Sequence, residues 1–364
     1  MNPIVLIMLI FALIGFIDKI FNLHLGLSYA FDDGFSTMLT MMYAIVGIGS
    51  VGVTLIEAHL DAISTVSAFL PFDPSLLIGI LLAPDLGGYP ICEKISAHTA
   101  LISLNGVILS SLLGQFLSFQ LPIFSSALKP DEFQIAMKGF IIGIIAIPIG
   151  FLAGGLLLQT PYSIFIGELI PLILICGLAA LGLFRFTNQT LRIFGFLAKI
   201  IQLMMYLLFF LAMLGVFFPA FACTDRALVE DCVLTVLKSS IIICGSLVLS
   251  KIIMKVCRIP IRSIANLLGV NETSVICLLL SCATSLAFLP LFSKMDTKGK
   301  MLNAAFAVSG SYVIGGQFGY ISNMSDSHST TVFLISKLIC SLLGILLMLK
   351  FYPRMNRDKT KNSI

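Results

Sequence analysis

Charge is what this sequence most lacks. Asp, Glu, Lys and Arg make up 11% of its 364 residues, whereas 58% are hydrophobic and the mean hydropathy is +1.06. Roughly a quarter of a typical soluble chain is charged. With so few charges this chain cannot cover its surface for water, so lipid has to be part of its solvent. The nine cysteines include no CxxC pair and no Cys/His cluster, which argues against zinc, iron–sulfur and dithiol redox chemistry. His24, His59, His98 and His328 share no ligand spacing, so no metal site is expected. There is no GxxxxGK[ST] loop and no Ser/His/Asp or metalloprotease arrangement, which speaks against ATP-driven transport within the chain and against an intramembrane enzyme. No cofactor is implied. Basic residues are scattered through short loops rather than gathered on one patch, so nucleic acid is not an expected partner. The first apolar run, 3–17, has neither a basic start nor a small-residue cleavage site, and reads as a retained helix.

What the sequence does have is long apolar runs. Nine are near the length needed to span a bilayer as helices: 3–17, 36–56, 97–119, 137–158, 163–184, 195–218, 233–250, 301–321 and 331–350. Two more, 74–97 and 272–293, are interrupted in the middle, the first by PDLGGYP at 84–90 and the second by Pro290. If both dip in and out on one side and the C-terminus is cytoplasmic, 18 of the 22 Lys and Arg residues fall on the cytoplasmic side. If both cross instead, the asymmetry largely disappears. Only the first arrangement obeys the positive-inside rule. The expected fold is therefore an all-α polytopic membrane protein with nine spanning helices, two re-entrant broken-helix hairpins and the N-terminus outside. Cys223 and Cys232 then share an outer loop where a disulfide is permitted.

An internal repeat fits the same topology. Asp32-Asp33-Gly34-Phe35 corresponds to Glu230-Asp231-Cys232-Val233, and Phe72-Asp73-Pro74-Ser75 to Val270-Asn271-Glu272-Thr273, both at an offset of 198. Gly114-Gln115-Phe116 and Gly316-Gln317-Phe318 follow at a slightly longer one. The expected organisation is a first inverted repeat over 1–158, a linking helix over 159–192, a second inverted repeat over 193–352 and a cytoplasmic tail over 353–364. Inverted repeats with discontinuous helices mark secondary transporters. Asp73 and Ser75, or Asn271 and Thr273, suit the N-caps of the hairpin arms, and 59–70 and 258–269 read as interfacial amphipathic helices.

Non-helical backbone is tolerated at membrane depth only where it faces protein or a wet cavity. In PDLGGYP, Pro84 and Pro90 break the hydrogen-bond ladder, Gly87 and Gly88 permit unusual backbone angles, and Asp85 adds a carboxylate. For an amine ligand the carboxylate and freed carbonyls accept from an ammonium, and Tyr89 offers a ring face; a solvent-facing turn is the plainer reading. In the second hairpin Thr284 and Ser285 either present hydroxyls to a solute or bond back to their own helix. Gln317, between Gly316 and Phe318, is an amide in a close-packing stretch. Glu168 and Lys337 are ionisable residues within spans and so functional candidates.

These residues resemble a known family. Asp32-Asp33-Gly34-Phe35, the LLAPDLGGYP run at 81–90, the Lys294-Met295-Asp296-x-x-Gly299-Lys300 loop, the stretch from Asn303 to Ser309 and a final helix containing Lys337 look like the bacterial ethanolamine permease (EutH) family, in order along nearly the whole chain. The resemblance implies a cytoplasmic-membrane carrier that takes up ethanolamine and is encoded with the machinery that degrades it. The chain departs from the family pattern at Pro84, where an Asn is usual, at Thr284 and Ser285, where two Asn are usual, and at Gly316 and Gln317, where an Asp and a His are usual. The resemblance then implies a divergent member whose solute is ethanolamine or a similar small amine, and the reading of the two breaks and the eighth helix places that solute on Asp85, Gly87, Gly88, Tyr89, Thr284, Ser285 and Gln317. A carrier or channel for another small polar solute, or a sensor or scaffold without flux, remains an alternative, and membrane lipid and a homo-oligomer are the other partners in view.

Overall fold

The computed structural model describes residues 3–361 apart from 37, 68 and 257, and among these there is no strand. Helices α1 (Pro3–Phe21) and α2 (Ser28–Ser36) lead into α3 (38–57), which is π-wound over Met42–Gly52. A short helix, α4 (Leu60–Ser67), precedes the first broken segment: α5 (Pro74–Leu81), a turn, and α6 (Gly88–Ile95). Helix α7 (99–127) is π-wound over Ile102–Gly114. Then come α8 (Pro130–Leu157), α9 (Tyr162–Arg185), α10 (Thr187–Phe217) and α11 (Arg226–Val256). The second broken segment follows α12 (Arg258–Leu268) and consists of α13 (Glu272–Ala283) and a 3-10 stretch over Ser285–Lys294. The chain closes with α14 (Thr297–Gly310), α15 (Gly316–Met324) and α16 (Ser327–Lys361).

Four of these are long and apolar enough to cross a membrane, Pro130–Leu157, Tyr162–Gly182, Arg226–Ile253 and Ser327–Pro353. A fifth segment qualifies only as Ile259–Leu268 joined to Glu272–Ala283 across a 106° bend. One run that reads as a single span is divided. The run 301–321 is helical to Gly310, unwound over 311–315 and helical again from Gly316. Cys223 and Cys232 are both free thiols, the first exposed and the second buried in α11.

Polar side chains hold the helix ends. Asp18 accepts from the N–H groups of Leu25, Leu27 and Ser28 at 2.9, 2.8 and 2.9 Å, fixing the turn into α2. Asp73 caps α5 by accepting from the Ser75 N–H at 2.9 Å, and Asn271 caps α13 by accepting from the Ser274 N–H at 3.0 Å. Of the pairs expected from sequence, Asp73 and Asn271 are therefore the caps, and Ser75 instead donates its hydroxyl to Asp73. Asp326 opens α16 by accepting from the backbone and hydroxyl of Ser329 at 2.9 and 2.6 Å, which holds its carboxyl below the usual carboxylate range. Asp326→Ala should cost about 1 kcal/mol. Because the carboxylate is favoured in the folded state, its contribution is present at neutral pH, begins to fade as pH falls below the ordinary Asp value of about 4, and is lost as pH passes the lowered folded value. Thermal unfolding in detergent at pH 7 and at acid pH reads both effects.

Two buried helices form the centre. α7 is buried without interruption from Leu104 to Gly114, and α14 from Gly299 to Gly310. α5 packs on α7, and α13 on α14. The N-terminal and C-terminal parts are interleaved around them: α8 lies on α14 and α16, while α1 and α2 lie on α11. Contact is close enough that a Cβ at Gly139 of α8 would stand 2.2 Å from the Met301 carbonyl oxygen of α14. A largely buried ion pair, Lys300 to Glu132 at 2.7 Å, ties the same two helices. On the outside, α9 and α10 expose Leu174, Leu178, Leu181, Phe196, Leu203 and Phe210, the apolar surface that acyl chains would cover.

Candidate functional site

The first break begins where α5 ends. Leu82 and Ala83 are extended, Pro84–Leu86 forms a single 3-10 turn, and Gly87 takes φ +96°, which lets the chain reverse into α6. The freed backbone groups find partners: the Ala83 N–H donates to the Ser118 hydroxyl at 3.0 Å, and the Ala83 carbonyl accepts from Leu86 and Gly88 at 3.0 and 2.9 Å. The second break begins at Thr284, extended at φ −160°, and lies against the unwound stretch 311–315. Tyr312 and Ile314 donate their N–H groups to the carbonyls of Ser281 and Cys282 at 3.1 and 3.0 Å, so the last turn of α13 satisfies the unwound backbone.

Both breaks are brought within reach of neighbouring helices by glycine. A Cβ on Gly114 of α7 would lie 2.1 Å from the Leu82 carbonyl oxygen, and one on Gly315 would lie 1.7 Å from the Ala283 carbonyl oxygen.

Between the breaks is a cavity of about 40 Å³ lined by Met41, Ala83, Asp85, Leu86, Phe119, Ile243, Thr284, Tyr312, Gly316 and Gln317. That is room for about three water-sized groups. Of the residues singled out by sequence, Asp85, Thr284 and Gln317 meet here. The Asp85 Oδ1 atom is buried and has no hydrogen-bond partner. Ser285 stands just behind the lining, its hydroxyl 2.8 Å from the Tyr312 hydroxyl. Gly87 and Gly88 shape the turn, and a Cβ on Gly87 would meet Ile48 at 2.1 Å. Tyr89 is buried in the core beside Gly106 of α7 and is not among the lining residues.

Tyr312 and Phe119 are the aromatic residues of the lining, edge to face with centroids 5.8 Å apart. Neither was singled out by the sequence reading. Phe119 is one of 29 phenylalanines with nothing in its surroundings to mark it. Tyr312 has φ +64° within an apolar run, and only the Gly310 and Gly315 on either side hint that the helix opens there.

The two ionisable residues inside spans have different settings. Glu168 accepts from the Asp73 N–H at 2.8 Å and the Asn105 amide at 2.9 Å, so it clamps the start of the first hairpin to α7 and α9. In Glu168→Gln, one of those two donors would face an amide N–H2. A loss of about 1–3 kcal/mol, read as a lower melting temperature with the protein still folded, is the expected result. Lys337 is fully buried and donates to the Ser111 carbonyl and to Gln317 Oε1, both at 2.8 Å. With Oε1 engaged by Lys337, the amide nitrogen is what Gln317 has left for the cavity. Among the described residues there is no group of three or more His, Cys, Asp or Glu placed to hold a metal ion.

A family model described as ethanolamine utilisation protein, EutH, matches residues 1–350. The chain belongs to the EutH family. One EutH relative, a Listeria monocytogenes protein named probable ethanolamine permease EutH, is 26% identical over 360 residues, covering 98% of this chain and 96% of its own. An Escherichia coli protein of the same name is 25% identical over 400 residues, covering 99% and 98%. Bacillus subtilis YxeR, an uncharacterized protein, is 25% identical over 337 residues, covering 93% and 91%. No solved structure matches the chain. Identity near a quarter over almost the whole length makes this a divergent EutH protein, and its apolar helices make it a membrane protein.

Proposed function

We propose that this EutH protein takes a small protonated amine, ethanolamine first among the candidates, across a bacterial cytoplasmic membrane by alternating access. The observation that carries the reading is the cavity between the two hairpin breaks, with the unpartnered Oδ1 of Asp85 in its wall. A carboxylate in an apolar cavity favours a cation over a neutral solute. The ammonium would sit on Asp85 within reach of the Phe119 and Tyr312 rings. The hydroxyl at the other end of ethanolamine would meet Thr284 and the Gln317 amide, with Ser285 orienting Tyr312 from behind. Gly87 and Gly88 give the backbone its turn, and Tyr89 braces that turn against α7. The names of the relatives from Listeria and Escherichia support ethanolamine as the first solute to test.

The same reading takes the chain as two inverted repeats related by the offset of 198, with nine passes, two re-entrant hairpins, the N-terminus outside and the C-terminus inside. Support comes from matched placements within one residue of that offset. Asn105 of α7 donates to the Ser75 hydroxyl of the first hairpin at 2.9 Å, and Asn303 of α14 donates to the Ser274 carbonyl of the second at 2.9 Å. The excess of Lys and Arg on one side supports the orientation. Uptake of labelled ethanolamine into proteoliposomes tests the function directly. Saturable uptake, competed by other small amines, is expected; uptake that rises linearly with solute would mean a channel, and binding without flux would mean a sensor.

A further inference from the structure

Among the described residues, Lys337 is the one buried charge near the cavity that solute binding does not use. Its ammonium contacts only neutral groups: the Ser111 carbonyl, the Gln317 amide oxygen and, at 5.3 Å, the Phe333 ring. The carboxylate nearest to hand by geometry is Asp85, which lines the same cavity as Gln317, the residue that Lys337 holds by its 2.8 Å bond to Oε1. On its own helix the nearest ionisable residue in sequence is Cys340. Tyr312 lines the same cavity as Asp85.

The helices packed against α16 bring no further charge to this level. Gly150 and Gly154 of α8 meet Cys340 and Ser336, and the α8 charges, Asp131, Glu132 and Lys138, lie at least twelve residues away, about 18 Å along the axis. Gly310 of α14 meets Ser341. Lys300 is ten residues from it, about 15 Å, and is paired with Glu132, while Lys298 donates to the Leu268 carbonyl. The Ile102–Gly114 segment of α7 carries no ionisable side chain, and α15 brings only Tyr320.

An empty site therefore holds one carboxylate and one ammonium, and is neutral. When a solute ammonium arrives on Asp85, the site holds two cations against one anion inside a mostly apolar cavity. A buried charge whose counter-charge is taken by another group is costly, and of the two cations Lys337 is the one that neutral contacts alone hold in place. Building on the transport reading above, we propose that Lys337 releases a proton when the solute cation binds and regains one when it leaves, so that the protein exchanges one amine cation for one proton. The balance is simple: R–NH3⁺ enters and pairs with Asp85, Lys337–NH3⁺ becomes Lys337–NH2, and the proton leaves to the side from which the solute came. On the opposite side the solute departs and Lys337 takes a proton from that compartment. The site crosses the membrane neutral in both directions.

The experiment uses the full-length protein in proteoliposomes containing a pH-sensitive dye, with protein-free vesicles as the blank and labelled ethanolamine as the probe. Wild-type uptake should alkalinise the interior by one proton per amine. A tenfold potassium gradient with valinomycin should leave accumulation unchanged, whereas a carrier moving the bare cation would show an about tenfold shift. Lys337→Met should lose the proton movement and acquire the potential dependence. Lys337→Arg, which keeps the charge but cannot give up its proton, should fold and fail to turn over. Wild-type uptake driven by potential without proton movement overturns the exchange and leaves the transport reading intact, and this arm needs no variant to fold. Proton movement that persists in Lys337→Met also overturns the role of Lys337. Absence of any saturable amine uptake by the wild type overturns both proposals.

Discussion

Asp85→Asn should raise the KM for ethanolamine uptake by about ten- to a hundredfold. The substitution keeps the size and planarity of the side chain and removes its charge, and a hydrogen bond to a charged group contributes about 1.5–3 kcal/mol, where 1.4 kcal/mol is tenfold. The fold should be spared, because the Asp85 Oδ1 atom makes no hydrogen bond that Asn would lose and Lys337, left without its counter-charge, can shed its proton. The measurement is the concentration dependence of labelled ethanolamine uptake, set beside the melting temperature of the same preparation. A variant with unchanged KM would remove Asp85 from the solute site. A variant with a much lower melting temperature would mean that the carboxylate supports the turn rather than the solute. Thr284→Val is the companion: it removes one hydroxyl while keeping the branched shape, and a smaller rise in KM is expected.

How much of this was legible in the residues depends on what holds each feature in place. The first hairpin break could be read because proline and glycine cause it locally: Pro84 cannot continue the helix, and Gly87 accepts φ +96°. Membership of the EutH family was legible for a related reason, since the motifs that carry it are contiguous in sequence. The opening of α14 into α15 could not be read in the same way. Ser311-Tyr312-Val313-Ile314 contains no helix breaker, and the stretch is held open by the Ser281 and Cys282 carbonyls, which belong to another helix. Tertiary hydrogen bonds of that kind leave no trace in local composition. The 106° bend before Glu272 was legible, by contrast, because its causes are local: Gly269 takes φ +62° and Asn271 caps the next helix. Glu168 stood out by being ionisable in an apolar run, but its partners, the Asp73 N–H and the Asn105 amide, show a clamp on the hairpin.

Gly315→Ala is the substitution expected to damage the site most without touching a solute contact. The added Cβ would lie 1.7 Å from the Ala283 carbonyl oxygen and 2.7 Å from its carbon, and these are backbone atoms that no rotamer change can move aside. Relief requires the second break and the unwound stretch to separate, stretching the bonds from Tyr312 and Ile314 to Ser281 and Cys282. Overpacking of this kind costs about 1–3 kcal/mol or more, and it displaces Thr284 and Tyr312 in the cavity wall together. Both a lower melting temperature and a tenfold or larger loss of uptake are expected, in contrast to Asp85→Asn, where only uptake suffers. Gly114→Ala should behave like Gly315→Ala, since its Cβ would stand 2.1 Å from the Leu82 carbonyl oxygen at the first break. Gly316→Ala separates crowding from composition: the nearest atom to its Cβ is the flexible tip of Ile243 at 3.2 Å, so the protein should fold normally. Gly177→Ala, with nothing within 4 Å on the outer face of α9, should be neutral in both measurements. Equal behaviour of Gly315→Ala and Gly177→Ala would mean that the two irregular segments do not need to touch, and that the cavity between the breaks is not the part of the protein on which uptake depends.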